Sequence, residues 1–368
     1  MTVNMKTPAV TVLIDTYNHE RFIEEAIVSV LEQDFPATEM EILVVDDGST
    51  DRTPEVVRKF APRVRYARKE NGGQASAFNF GIPTARGEII AFLDGDDWWA
   101  KPKISKVMQI LSSRPDVGVV GHGIYQVDSQ SGQISTTLPE QPGEIDLHTT
   151  AGAGFFRHMM CFFGTSRVTI RRRVVQRALP IPNELVIEAD EFMSTMSAAY
   201  SMASLIQEPL AFYRLHSGNL FQIRSSDSVK TRRIYQVIVA LARALEERLP
   251  DASIPPDSVR AIVEQLQVGA IRMRLMLDGG WPWETFRAER ADFRLAYKDG
   301  GTAYKIFKLC VLGATLVLPP RLFFRARNWY SSSVLRKMRG ALGEPATNAA
   351  ILNLPQPEDP DRRNERAR

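Results

Sequence analysis

The chain has 368 residues, 44% of them hydrophobic and 24% charged, with a formal charge of +3. That length allows two to three structural units with large cores, the composition is that of an ordinary globular protein, and the charge is too small to argue for nucleic acid. Two cysteines, Cys161 and Cys310, give neither a disulfide framework nor a metal-ligand spacing, which suits a reducing compartment; no basic stretch followed by an apolar run opens the chain, so no signal peptide is expected.

Val10 to Ile14 reads as a strand, and Ile23, Ala26, Ile27, Val30 and Leu31 then recur at helical spacing. Ile42 to Val45 is the next strand, ending in the acidic turn VVDDGSTD, with Thr53-Pro54 starting a helix. Val64 to Ala67 is a third strand, and the loop KENGGQ leads to a helix over about Ala75 to Gly81. The apolar, β-branched run Ile89 to Leu93 then has the character of a fully buried strand and stops at Asp94, Asp96 and Asp97. Strands alternating with helices predict an α/β fold with a mostly parallel sheet, whose ligands bind at the carboxyl ends of the strands. Three polar loops therefore gather on one edge: Thr16-Tyr17-Asn18, Asp46-Asp47-Gly48-Ser49 and Asp94-Gly95-Asp96-Asp97.

Carboxylates crowded at the end of a buried strand cost electrostatic energy that a bound cation offsets. Asp94 and Asp96, two apart at an extended strand end, point the same way and suit Mg²⁺ or Mn²⁺. The same pattern also occurs in turns and helix caps, so the motif alone leaves both readings open.

The segments TYNHERFIEEAIVSVLEQ, EILVVDDGSTD, NGGQASAFNFGI and RGEIIAFLDGDDWW, in this order, resemble the N-terminal half of the inverting family 2 glycosyltransferases, which have the GT-A fold. The likeness is close over roughly residues 9 to 110 and loose over the next hundred. It implies a nucleotide-diphosphate sugar as donor, with Asp96, Asp94 and His216 around a Mn²⁺ or Mg²⁺ ion. It also implies that Thr16 and Tyr17 line the base pocket, that Asp46 accepts a hydrogen bond from base or ribose, and that Asn18, Asn71, Gly73, Asn79, Asp94 and Arg214 complete the donor surface. Because a carboxylate accepts from uracil N3–H, UDP is preferred over GDP and dTDP. Gly72 and Gly73 also read simply as backbone freedom for their loop, and Ser49 and Asp51 as turn and cap. The chain departs from the family pattern twice: Asp15 stands where a proline is usual, and Phe78 where an arginine usually precedes Asn79.

Ile104 to Leu111 reads as an amphipathic helix, Val117 to Gly121 as a short strand, and Tyr125 to Thr136 as a polar hairpin over the site. Phe162 to Val175 is rich in β-branched residues, and its Arg171-Arg172-Arg173 cluster is a solvated edge or a phosphate site. The acids opening VIEADEFMSTMSAAY either favour a helix dipole or supply the general base; the resemblance aligns Asp190 with that base, with Glu191 and Glu188 as alternatives. In FYRLHSGNLF, the pattern Tyr213-Arg214-x-His216-x-x-Asn219 looks like the family's closing motif, although a lone His is more often structural. The polar stretch Leu220 to Val229 is a loop that could order over donor.

Lys230 to Leu277 is helical by period, split near Pro250 to Pro256, and a third helical segment spans roughly Trp283 to Tyr297, serving acceptor binding, assembly or plain packing. The apolar core Leu309 to Leu318 extends only about 15 Å as a helix, against roughly 30 Å of hydrocarbon. With Phe307, Phe323, Phe324, Trp329 and Tyr330 as interfacial aromatics and eight cations but no acid between residues 301 and 340, it reads as helices lying on an anionic membrane surface, at the cytoplasmic face. A buried helix is the rival reading. The expected organisation is a nucleotide-sugar half (1–110), an acceptor half (111–228), a helical appendage (229–300), membrane-associated helices (301–341) and a disordered tail (342–368). The expected activity is metal-dependent inverting transfer to a lipid-linked or polysaccharide acceptor. A sugar-phosphate nucleotidyltransferase would open with a glycine-rich loop bearing Arg and Lys where DTYNHERF stands, and a silent nucleotide-sugar binder would not need the base candidate.

Overall fold

The computed structural model describes residues 7–216, 218–219, 228–296 and 302–330. Its sheet is built from β1 (Val10–Thr16), β2 (Met40–Asp46), β3 (Val64–Arg68), β4 (Ile89–Asp94), β5 (Trp98–Trp99), β6 (Val117–Asp128), β7 (Ile134–Thr137), β8 (Gly143–Ile145), β9 (Thr169–Arg171) and β10 (Met202–Leu215). The order is β3-β2-β1-β4-β9-β6-β10-β5, with β7 on β6 and β8 on β10. Pairs β2–β3, β1–β2, β1–β4 and β6–β10 are parallel, and β9 runs antiparallel between β4 and β6.

Both faces of β1, β2 and β4 are covered, which is why they read as continuous apolar runs. Val10, Val12 and Ile14 of β1 and Ile89, Ala91 and Leu93 of β4 pack with Ile23, Ala26, Ile27 and Val30 of helix α1 (Ile23–Leu31). After α2 (Thr53–Arg58), helix α3 (Gln74–Thr84) covers the other face, where Phe78 meets Phe92 edge-on at 5.4 Å between ring centroids. Phe78 is fully buried, so its departure from the family pattern swaps a cation for core.

Helix α4 (Lys103–Ser113) leads into β6, which continues to Asp128 and forms the expected hairpin with β7 (Ile124 opposite Thr137). Helix α5 (Thr150–His158) is capped by Thr149. The stretch expected to be β-rich up to Val175 yields only β9, and the chain turns helical at α6 (Arg172–Val175). Arg171 spends its guanidinium on the carbonyls of Val117 (2.8 Å) and Arg114 (3.2 Å), a structural use. Helix α7 (Ala189–Ala199) buries Phe192, Met193 and Met196 and precedes β10.

The chain forms two compact units, Met1–Gly218 with Ala240–Val263, and Asn219–Val239 with Glu264–Arg368. The expected boundary at residue 228 therefore shifts into helix α8 (Ser228–Arg248). Its second half belongs to the first unit: Leu241 and Leu245 are buried, and Arg248 donates to the Pro180 carbonyl (3.4 Å). Helix α9 (Pro256–Asp278) divides in the same way.

In the second unit, α10 (Pro282–Ala296), α11 (Thr302–Thr315) and α12 (Pro320–Tyr330) contribute to a small core of Leu275, Ala288, Phe323 and Phe324. Phe323 and Phe324, expected at a membrane interface, are thus buried. Glu289 pairs with Arg272 (3.0 Å) and Arg327 (2.6 Å) beside them. Ile306, Leu309, Leu316, Val317 and Leu322 remain exposed. Among the described residues, no helix is long and apolar enough to cross a membrane. Residues 220–227, Tyr297, the side chains of Lys305, Phe307, Lys308, Trp329 and Tyr330, the cations Arg336, Lys337 and Arg339, and the tail 342–368 lie outside the described residues.

Candidate active site

The parallel register sets the ends of β1, β2 and β4 level, with Thr16 opposite Asp46 and Asp15 opposite Asp94. The loops that follow brace one another. Asn18, at φ +58° where Asn is tolerated, donates its N–H to Ser49 Oγ (2.9 Å) and accepts at Oδ1 from Thr50 N (2.8 Å). Asp46 is fully buried and accepts from Ser49 N (2.7 Å) and Tyr66 OH (2.6 Å). Asp47 accepts from Lys69 Nζ (2.6 Å) and Gly73 N (2.7 Å), tying the 69–73 loop to β2. Gly73 sits at φ +81°, and a Cβ there would lie 2.8 Å from Val186 Cα, so backbone freedom explains this glycine. Asn79 uses both ends of its amide on the backbone of Ile181, at 2.8 Å each. Asn18, Asp46, Gly73 and Asn79, expected at the donor, also brace these loops, while Tyr17 and Asn71 stay exposed at the edge. Thr16 is buried, with Oγ1 3.3 Å from His19 Nδ1.

β4 stops at Asp94, and Gly95 and Asp96 turn away, so strand alternation does not relate the two acids as the sequence suggested. Asp96 Oδ2 lies 2.9 Å from His216 Nε2 and 3.9 Å from His19 Nε2. Burial pushes the Asp96 carboxyl up, but the His216 hydrogen bond and the two imidazoles hold it below the ordinary carboxylate value. Arg214 donates from Nε to the Asp96 carbonyl (2.8 Å), pairs with Glu25, and lies over Trp98 at 4.3 Å from the ring centroid. Asp97 accepts from Arg214 N (2.9 Å) and Ser166 Oγ (2.7 Å); burial, then Asp96, pushes it up to about 8. Burial, then Asp15, raises Asp94 well above its ordinary value. Among the described residues, no three His, Cys, Asp or Glu side chains converge as a ready metal cage.

The segment 164–166 ties this turn to the start of α7. Ser166, at φ +68°, donates its N–H to the Phe92 carbonyl (3.1 Å), and its own carbonyl accepts from Trp99 Nε1 (2.9 Å) and Lys103 Nζ (3.3 Å). Thr165 holds Asp190 through its N–H (2.8 Å) and hydroxyl (3.2 Å), both to Oδ2. Gln74 joins the same group, donating to Thr165 Oγ1 (3.2 Å) and accepting from Ala189 N (3.2 Å). Glu191 is ion-paired with Arg157, and the half-buried Glu188 is raised well above its ordinary value by desolvation and by Glu191, leaving Asp190 as the carboxylate that Thr165 orients at this helix start. His19, Thr165, Ser166 and Arg157 were not singled out in the sequence. Only His19, within TYNHERF, carried a signal there.

Residues 11–173 match the family model described as glycosyl transferase family 2. That segment, just under half of the chain, is similar to the family. An uncharacterized glycosyltransferase of Nostoc sp. is 33% identical over 220 residues, covering 57% of this chain and 66% of the relative. The uncharacterized glycosyltransferase EpsJ of Bacillus subtilis is 36% identical over 225 residues, covering 59% and 64%. The matched part thus spans just under two thirds of these relatives. Two solved structures have a like fold. TarS 1-349 of S. aureus in complex with UDP-GlcNAc has a TM-score of 0.56 at 18% identity, covering 90% of this chain and 92% of that one. The mannosyltransferase PcManGT of Pyrobaculum calidifontis, in complex with GDP-Man and Mn²⁺, has a TM-score of 0.52 at 20% identity, covering 94% and 86%. At these identities the likeness is one of GT-A-type fold.

Proposed function

We propose that this protein transfers a sugar from a nucleotide diphosphate to a hydroxyl acceptor with inversion, and that the carboxylate edge formed by Asp94, Asp96 and Asp190 is its active site. The observation that carries the reading is Asp190, held by Thr165 at a helix start while electrostatically coupled to the Asp94 group. In an inverting transfer Asp190 accepts the proton of the acceptor hydroxyl as that oxygen bonds to the anomeric carbon. The bond to the diphosphate oxygen breaks, and its electron pair leaves with the nucleoside diphosphate. Thr165 fixes the carboxylate, and the Arg157 pair keeps Glu191 out of competition.

Asp94, half-buried, and Asp97, buried, are both raised by burial and by neighbouring acids, which fits a divalent ion at this edge. Asp94, Asp96 and His216 would hold Mn²⁺ or Mg²⁺, which supplies charge neutralisation for the departing diphosphate. Tyr17 is the exposed ring at the edge for a base to meet, and Arg214 stiffens the Asp96 turn. UDP remains the preferred nucleotide, yet Asp46 can reach uracil only if Tyr66 gives way, and the solved structures of like fold bind UDP-GlcNAc and GDP-Man.

The acceptor is proposed to be lipid-linked or a polysaccharide at the inner membrane face. Support comes from the second unit, where exposed Ile306, Leu309, Leu316, Val317 and Leu322 accompany exposed Arg321 and Arg325. Incubation with UDP-, GDP- and dTDP-sugars plus Mn²⁺, with release of nucleoside diphosphate as readout, tests the donor class. Release from one nucleotide series is expected, and no release from any donor would contradict transfer.

A further inference from the structure

β1 ends in an acid that its own protein leaves incompletely engaged. Asp15 is paired in register with Asp94, and parallel alternation sends both side chains to the face that carries Leu13 and Phe92. Its Oδ1 is buried without a hydrogen-bond partner, and no Lys, Arg or His lies within ion-pair distance among the described residues. The acids whose charges act on it come from several elements: Asp94 from the next strand, Asp190 from α7, Asp96 from the turn after β4, and Asp47 after β2. A carboxyl oxygen left without a partner is destabilising, so the fold gains when a ligand reaching this half-buried side chain satisfies it. The strand itself does not require an acid here, since the related pattern carries a proline.

We infer that Asp15 reads the transferred sugar, accepting a hydrogen bond from one of its hydroxyl groups and so selecting donors that offer a hydroxyl there. This rests on the glycosyl-transfer reading. In that reaction the sugar must occupy the space between the departing diphosphate, beside Asp94 and Asp96, and the acceptor oxygen, beside Asp190. Asp15 faces both groups, so the sugar is the part of the donor that it meets. A site built to bond a hydroxyl rejects analogues lacking it far more strongly than an apolar pocket rejects an added group.

The test compares wild type, Asp15→Asn and Asp15→Ala on donors that share one nucleotide and differ in sugar: the preferred donor, its epimers and its deoxy analogues. The readouts are kcat/KM for each donor and calorimetric affinity for the free nucleoside diphosphate with Mn²⁺. Expected is a wild-type preference for one sugar of roughly 10²-fold or more, falling below about tenfold in Asp15→Ala. Affinity for the free diphosphate should stay within about twofold, because that ligand has no sugar. Both variants should melt at or above the wild-type temperature, since each removes a half-buried acid that has one partnerless oxygen and stands among other acids. Selectivity unchanged in both variants, or a parallel loss for every donor and for the free diphosphate, would overturn the assignment while leaving glycosyl transfer standing. A wild-type protein that turns over no donor would instead remove the reading on which the assignment depends.

Discussion

His216 Nε2 lies 2.9 Å from Asp96 Oδ2, joining the end of β10 to the turn after β4 across 120 residues of sequence. If this pair holds the cation side of the site, His216→Ala should weaken Mn²⁺-dependent nucleotide binding by about 10-fold or more, since even an outer partner of a metal ligand is worth that much and His216 is proposed to hold the ion itself. Calorimetry with and without Mn²⁺ measures this. Equal affinities for wild type and variant would reduce His216 to a packing residue against Phe22, whose ring centroid is 4.7 Å away.

Asp190 and Thr165 make a second, separable expectation. Asp190→Asn should lower kcat by roughly 10²-fold or more with the donor KM nearly unchanged. Thr165→Val leaves the backbone N–H on Asp190 and removes only the hydroxyl, so kcat should drop by about tenfold, with Thr165→Ser recovering most of it. A Thr165→Val enzyme at full rate would show that the backbone bond alone orients the carboxylate.

Lys103 gives a stability prediction with a definite sign. Its side chain is fully buried over the Trp99 ring (3.4 Å to the centroid), and burial depresses its pKa well below the ordinary lysine value. The unfolded chain therefore binds a proton that the folded chain binds less readily, and this costs stability as pH falls below the ordinary lysine pKa, down to the depressed one. Lys103→Met should raise the melting temperature at pH 7 relative to wild type, and the gap should shrink by pH 10. A variant less stable at pH 7 than at pH 10, relative to wild type, would mean that the ammonium is retained and stabilising.

The second unit predicts association with anionic vesicles. Phe323 and Phe324 share a core with Leu275 and Ala288, so cutting the chain near Gly300 would damage that core, and point substitutions are the cleaner probe. Val317, 80% exposed, and Leu309, 58% exposed, are the residues to change. Leu309→Glu with Val317→Glu should reduce co-sedimentation with anionic vesicles severalfold while leaving donor hydrolysis intact, through loss of buried apolar area and added repulsion. Unchanged sedimentation would point to a face covered by something other than lipid.

The sheet was legible because β1, β2 and β4 are buried on both faces and so announce themselves as apolar runs ending in polar turns. Helix α7 was legible too, its acids standing directly before the buried Phe192, Met193 and Met196. Much of the donor surface was not. A side chain in a polar loop reads alike whether it faces a ligand or its own backbone, and Asn79 against Ile181, like Asn18 against Thr50, turned out to face backbone. Ser166 and Thr165 left no mark at all, since a serine at positive φ and a threonine bonding an acid 25 residues on depend on the tertiary fold. Phe323 and Phe324 misled because an aromatic pair beside arginines has the same composition at a lipid surface as in a small core.

The most direct test of glycosyl transfer at the carboxylate edge follows nucleoside diphosphate release from the best donor by wild type, Asp96→Ala and Asp190→Asn, each with Mn²⁺ and with EDTA. The account predicts release by wild type with Mn²⁺ only, none by Asp96→Ala in either condition, and a loss of roughly 10²-fold or more in Asp190→Asn with nucleotide binding retained. Full release by Asp96→Ala, or by wild type in EDTA, would contradict it.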